Sequence, residues 1–260
     1  MKLNADMQQD IIDRLLADMT EFLNTYELIN IKLETKDKDY YGSDIHCSKL
    51  GACKRQVVYE YFKFDKKPYS LQTLLNFTRG NMYHELVYQW LAWSKEFKLL
   101  EKEIVVSDGL PEKISGKLDC IFKDILTDTT ILADVKTAAS NQFKQYIGSL
   151  PKKEHIKQLS SYKVGYDNMK RYTIDTMLMM YFSNGSDRPQ FYFVEPDETI
   201  FTDFEEYKFA VELYESYKEL PPRLDAIFND KDAWQCDYCD YQFITCEGLV
   251  GEKQNKRSKK

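Results

Sequence analysis

Five strand-like runs, interrupted once by a helix, constrain this chain more than any other feature. LLEKEIVVS (99–107), EKISGKLDCIFKD (112–124) and TTILADVKTA (130–138) are rich in β-branched and aromatic residues and are separated by polar turn-like stretches. A helix is expected over 152–168, after Pro151. TIDTMLMMYFS (173–183) and PQFYFVEP (189–196) then follow, joined by an NGSD turn. Together these runs predict an α/β fold, a central mixed β-sheet flanked by helices.

The flanking helices are read from periodicity. Residues 5–22 place apolar side chains at helical spacing, and CKRQVVYEYF (53–62) suits a short helix. Residues 71–95 predict a longer one, with Leu71, Leu74, Leu75, Met82, Leu86, Trp90 and Trp93 near one stripe and Gly80 weakening its middle. DFEEYKFAVELYESYKEL (203–220) ends at Pro221 and Pro222. Residues 29–46 are polar and aperiodic, a surface connection. The expected organisation is a helical region over 1–98, a core over 99–200, a helix and cysteine-bearing segment over 201–250, and a basic tail over 251–260.

At 260 residues, 43% hydrophobic and 30% charged, the composition is that of an ordinary folded chain. No run is apolar for long enough to span a bilayer, and MKLNADMQQD lacks the apolar core of a signal peptide, so an intracellular protein without a membrane partner is expected. The net charge of -6 argues against a uniformly basic surface, but the last ten residues carry five basic side chains and one acid. Such a tail either solubilises the terminus or draws the protein toward a phosphate backbone.

ILADVKTA (131–138) is where an apolar strand stops being only core. Asp134 and Lys136 are two apart, so on a strand they address one face while Val135 turns to the other. If the second and third strands form a hairpin, Asp119 of GKLD approaches Asp134 across it. Two carboxylates on an apolar sheet are costly unless a cation compensates them. Such a group suits phosphodiester hydrolysis: oxygen ligands can hold Mg²⁺ or Mn²⁺, and a lysine can orient water or stabilise charge on phosphate. A surface Asp–Lys pair without catalytic work is the plain alternative. Gln158 and Tyr162, four apart on the 152–168 helix, share a face, with His155 on the same side. His84, in RGNMYHE, is one of three histidines and a reasonable third ligand for Mn²⁺.

Six cysteines occur, at 47, 53, 120, 236, 239 and 246. QCDYCDYQFITCEG groups three of them compactly, and a fourth ligand would close a tetrathiolate site for zinc or for an iron–sulfur cluster; spacing alone leaves both open. Cys120 follows Asp119 on the opposite strand face and reads as a buried thiol, and Cys47 has no assigned role.

The ordered series GNMYHE, GKLD, ADVKT and QLSSY resembles the RecB-like branch of the PD-(D/E)XK nuclease superfamily, over roughly residues 45–250. The resemblance implies a restriction-endonuclease-like core in which His84, Asp119, Asp134 and the carbonyl of Val135 hold Mn²⁺ or Mg²⁺. It also implies Lys136 as catalytic lysine, with Gln158 and Tyr162 supporting the site and contacting DNA. HCSKLGACKR further resembles the segment that supplies the first cluster cysteine in CRISPR-associated iron–sulfur exonucleases and in the AddB nuclease domain. By that resemblance Cys53, Cys236, Cys239 and Cys246 hold a [4Fe–4S] cluster in an appendage to the core.

The expectation is a metal-dependent DNA exonuclease, acting on single-stranded DNA and plausibly 5′ to 3′, in the cytoplasm of a bacterial, archaeal or phage-infected cell. No GxxxxGK[ST] loop is present, so a helicase, recombination or CRISPR adaptation partner would supply any unwinding. An endonuclease or flap nuclease using the same centre, and a catalytically silent DNA-binding or assembly protein, are the competing readings.

Overall fold

The structure, a computed structural model, describes residues 3–25, 44–138, 143, 147–169, 171–185, 188–223, 234–237, 239–242 and 244–246. The basic tail and most of the polar 29–46 connection lie outside these residues.

The fold is mixed α/β, with a central mixed sheet flanked by helices. Helix α1 (Ala5–Thr25) opens the chain. After it come the short strand β1 (Ile45–His46), α2 (Lys54–Tyr61) and the long α3 (Leu71–Trp93). Next are β2 (Phe97–Val105), β3 (Ile114–Ser115), β4 (Lys117–Asp124) and β5 (Thr129–Ala138). Helix α4 (Lys153–Met169) leads to β6 (Thr176–Ser183) and β7 (Gln190–Val194), then to α5 (Ile200–Tyr217) and a short turn of helix, α6 (Trp234–Asp237). The run expected as one strand over 112–124 is two: β3 pairs in parallel with β1, Gly116 intervenes, and β4 joins the main sheet.

That sheet has the order β2-β4-β5-β6-β7. All its pairs are antiparallel except β5–β6, the two strands that α4 connects. Hairpins can only pair strands antiparallel, while a helical crossover returns the chain in the same direction, so the strand–helix–strand order dictates the mixed sheet. Its two faces carry separate cores. Leu118, Ile121, Leu132, Met177 and Met179 pack with α4 and α5, whereas Cys120, Phe122, Ile131, Ala133 and Met180 pack with α1 and α3. Cys120 is the buried thiol expected of it.

Helix α1 is pinned at its middle. Arg14 reaches Asp124 at the end of β4 with both terminal nitrogens, and Asp18 accepts from the buried Trp90 indole at 2.8 Å. The stripe expected along α3 is buried only in its second half: Val87, Tyr88, Trp90 and Leu91 are core, whereas Leu71, Leu74, Leu75 and Met82 are exposed. Among the described residues, no element covers the stripe in the first half of α3.

The C-terminal segment docks on α2. Asp240 accepts the Lys67 amide at 2.8 Å, Thr245 donates to the Asp65 carbonyl at 2.8 Å, and Tyr241 packs against Tyr59. The four cysteines expected to hold a cluster, Cys53, Cys236, Cys239 and Cys246, do line one cavity, of about 30 Å³. However, among the described residues no group of three or more His, Cys, Asp or Glu side chains is disposed to hold a metal ion. The expected iron–sulfur appendage is corrected on that ground. The cavity wall also includes Arg55, Gln56, Tyr59 and Arg223, and burial raises the Cys239 thiol above its ordinary pKa.

Candidate functional site

The β4–β5 ladder stops at Cys120 opposite Ala133. One step further out stand Asp119 and Asp134, where the two strands part. Strand β5 continues on its other side, paired with β6 as far as Ala138 opposite Ser183, so Asp134, Val135 and Lys136 border a cleft that β4 no longer fills. The parting leaves the Val135 amide without a strand partner, and the Asp119 carboxylate takes it, Oδ2 accepting at 2.8 Å. A side chain thus ends the ladder and opens the site.

Helix α3 brings in His84, whose Nδ1 lies 3.3 Å from Asp119 Oδ1. Burial opposes charge on both, but each outweighs it for the other: Asp119 is held below its ordinary pKa, and His84 is raised above its own. Asp134 is 1% exposed. Burial drives its carboxyl up to about 6, with Lys136 opposing and Asp119 adding to the rise. Lys136 Nζ stands 2.7 Å from Asp134 Oδ2 and remains 20% exposed at the mouth. The contact is a close ion pair but lies off the hydrogen-bonding direction, so Oδ2 has no aligned donor.

Helix α4 supplies the back wall. Gln158 Nε2 donates to the Tyr162 hydroxyl at 2.7 Å, and both side chains are buried, behind the site rather than at its surface. A Cβ on Gly116 would lie 2.9 Å from the Tyr162 ring and 3.1 Å from Cys47 Sγ, so the glycine of GKLD lets the ring approach the chain beside β4. Cys47 is buried there, its thiol pushed up to about 12 by burial.

Two contributors were invisible in the sequence pattern. Tyr181 lies opposite Lys136 in the β5–β6 register, and its hydroxyl receives the Lys152 amide at 3.2 Å and meets His155 Nδ1 at 2.9 Å. His46, next to β3 through the β1–β3 pair, contacts Ser48 at 2.7 Å. Burial, then Lys49, Lys136 and Lys117, push His46 down to about 4; burial, then Lys136 and Lys152, push His155 down to about 3. All three histidines of the chain therefore feel Lys136. An interleaved tyrosine in TMLMMYFS carries no signal until the parallel register is known. Of the aromatic residues near the site, Tyr83 donates to the Ser183 carbonyl at 2.8 Å and stacks on Phe182, and Trp90 is core.

His84, Asp119, Asp134, Val135 and Lys136 do meet, as expected, but not as a metal centre. The ligation of Mn²⁺ or Mg²⁺ is corrected: among the described residues no His, Cys, Asp and Glu group is disposed to hold a metal ion. Each carboxylate already has internal partners, Asp119 the His84 ring and the Val135 amide, Asp134 the Lys136 ammonium.

Among the described residues no helix is long and apolar enough to cross a membrane. No family model matches the chain, and no curated protein matches it. The crystal structure of SSO0001 is similar over 93% of this chain and 99% of its own, with 20% of residues identical and a TM-score of 0.49. The expected metal-binding, iron–sulfur, CRISPR-associated, phage and recombination attributes gain nothing from these comparisons.

Proposed function

We propose that this chain hydrolyses phosphodiester bonds in DNA, removing nucleotides from single-stranded ends. The observation that supports this most is the meeting of Asp119, Asp134 and Lys136 where β4 and β5 part, with His84 from α3 completing two opposed acid–cation pairs.

The Lys136 ammonium, at the mouth, receives the non-bridging oxygens of the phosphate and offsets the charge that grows there in the transition state. The Asp134 carboxylate, with its pKa raised toward neutrality, takes the proton of the attacking water. The His84 imidazolium, kept charged by Asp119, gives a proton to the departing oxygen as the P–O bond breaks. Asp119 holds both His84 and the Val135 amide, so it positions the acid and fixes the strand that carries the base.

The test is digestion of 5′-labelled and 3′-labelled single-stranded oligonucleotides, in MgCl₂ and in EDTA, beside Asp134→Ala and Lys136→Ala. Loss of nucleotides from one end, absent in both variants, is expected. Internal fragments dependent on the same residues would reassign the chain to endonucleolytic cutting. No cleavage of single-stranded, duplex or flap DNA by the folded protein would refute the proposal.

A further inference from the structure

The exposed first half of α3 has two unlike sides. Leu71, Leu75 and Met82 follow one another at helical spacing on the side turned away from His84. Phe77 lies two turns before His84 on the same face, about 10 Å away along the helix axis. Between them Gly80 brings the helix to the end of β5: a Cβ there would sit 3.7 Å from Thr137 Oγ1, one residue beyond Lys136. The face that carries His84 into the cleft therefore continues past β5 as far as Phe77, which is 51% exposed.

A second ring stands beside it. Tyr69, 41% exposed, meets Phe77 edge to face, with centroids 5.2 Å apart and planes at 88°. Ser70, next in the chain, caps α3 by accepting the Thr73 amide at 3.1 Å, which fixes Tyr69 where the helix starts. The Lys66 ammonium lies 4.9 Å from the Tyr69 ring centroid and donates to its hydroxyl at 3.0 Å. Glu60 and Asp240 also act on Lys66, but Glu60 is itself paired with Lys49 at 2.8 Å. Two rings held in place and open to solvent, with an ammonium beside them, are the make-up of a surface that stacks bases and attracts the phosphates joining them.

Charge along the chain selects that occupant. The sequence has 42 acidic residues, yet none between Asp65 and Glu85 and none between Asp134 and Glu154; these are its two longest intervals without one. The first interval holds both rings together with Lys66, Lys67 and Arg79, and the second contains Lys136. They come together where Gly80 faces Thr137. Apolar contact with another protein needs no such exclusion of carboxylates, whereas a phosphodiester chain running from Lys136 toward Phe77 does. We propose that Phe77 and Tyr69 stack a base of single-stranded DNA, a short way along the strand from the phosphate at Lys136. The inference rests on the reading of the cleft as a site of DNA cleavage.

The test is anisotropy titration of a labelled oligothymidylate with the full chain, in an Asp134→Asn background so that the strand stays intact. Phe77→Ala and Tyr69→Ala are each expected to weaken binding about tenfold, and Phe77→Trp to preserve it. Leu75→Ala, on the far side of α3, should leave binding unchanged. With Phe77 in place, replacing a single thymidine by an abasic site should cost about tenfold at one position of the strand, and in Phe77→Ala it should cost nothing there. In the cleaving protein, Phe77→Ala should raise KM by a similar factor. Because both rings are exposed, an unchanged thermal midpoint separates lost binding from lost folding. Affinity indifferent to Phe77→Ala and Tyr69→Ala would overturn the proposal even if DNA is cleaved. So would a loss of affinity uncoupled from every abasic position, since no base would then be stacked on the ring. Coupled loss of binding in a protein that cleaves no DNA would uphold the stacking step and refute the cleavage reading alone.

Discussion

Asp119 Oδ2 accepts the amide hydrogen of Val135 at 2.8 Å, a side chain standing where a strand would otherwise be. The same carboxylate faces His84, so one group both terminates the β4–β5 ladder and sets the charge of the imidazole. Asp119→Asn separates these roles, because an amide oxygen can still accept from Val135 while the anion is gone. Cleavage is expected to fall about 100-fold or more, with the fold retained. His84, followed by NMR, should titrate lower than in the parent protein, because burial then acts without the carboxylate that opposes it. The pair also carries a stability signature. His84 is raised, so its contribution is complete below about 6.5 and is lost as pH rises through its folded pKa; Asp119 is lowered, so its contribution is lost as pH falls through its own. In Asp119→Asn that window should flatten.

Asp134 has the opposite sign. Its folded pKa of about 6 stands above the unfolded carboxyl value, so the native state holds the proton more tightly. Stability is therefore lost as pH rises from about 4 to about 6, and the charged form is a cost above that. Asp134→Asn should raise stability at pH 7 by about 1–3 kcal/mol, or about 2–4 °C in Tm per kcal/mol, and the gain should vanish below about pH 4. The same substitution should abolish cleavage. In the parent protein, the rate should climb as pH passes through about 6, since the base must be ionised to act. A thermal melt series against pH, beside a pH–rate profile, reads both effects. Equal stability of the two proteins at every pH would remove the raised Asp134 from the account.

The succession of strands along the chain and the Asp119–Asp134–Lys136 group were legible because each rests on a short-range rule: period-two alternation, side chains two apart sharing a face, and a hairpin that brings adjacent strands together. Less legible was whatever depends on which strands stay paired. The split between β3 and β4 at Gly116 hides inside one apolar run, since nothing local says that Ile114 and Ser115 pair with β1 instead. Tyr181 enters the site only through the parallel register with Lys136, and His46 only through β1–β3. The α3 stripe misled for the converse reason: helical periodicity marks a face, but only the facing elements decide how much of it is buried. The cysteine spacing brought four thiols to one cavity without specifying how their sulfurs converge.

Two glycines distinguish site from scaffold. A Cβ at Gly116 would meet the Tyr162 ring at 2.9 Å, and the ring can answer by shifting away from Gln158. A Cβ at Gly165 would meet the Val106 carbonyl oxygen at 2.8 Å, a backbone atom on a neighbouring segment that cannot turn aside. Gly116→Ala should cost about 1–3 kcal/mol and also reduce cleavage, since the displaced phenol lies behind Asp134. Gly165→Ala should cost at least as much by forcing backbone shifts of about the same energy range, but leave kcat of the remaining folded protein near that of the parent. Urea denaturation gives the first quantity for each variant, and kcat corrected for the folded fraction gives the second. If Gly165→Ala lowered kcat as far as Gly116→Ala, the specific role of the Tyr162 position would fail.

Arg14 and Asp124 fix α1 to the far end of the sheet. Asp124 is fully buried, and besides both Arg14 nitrogens it accepts the Leu126 amide at 3.0 Å and the Thr127 hydroxyl at 2.8 Å. These partners hold its carboxyl below the ordinary range against the opposing effect of burial. Arg14→Ala leaves a buried carboxylate without its cation and should cost about 3–5 kcal/mol. Arg14→Ala with Asp124→Asn should recover part of that loss, because the neutral amide can keep the turn's hydrogen bonds without an uncompensated charge. Asp124 is a depressed carboxyl, so its contribution is present above about pH 4 and disappears as pH falls through its lower folded pKa; the parent and Arg14→Ala curves should converge in acid. Site chemistry offers an internal control, since Arg14 lies at the opposite end of β4 from Asp119. Its substitution should lower the midpoint of unfolding while leaving the pH–rate profile of the folded protein unmoved, and a shift in that profile would mean that α1 reaches the site through the sheet after all.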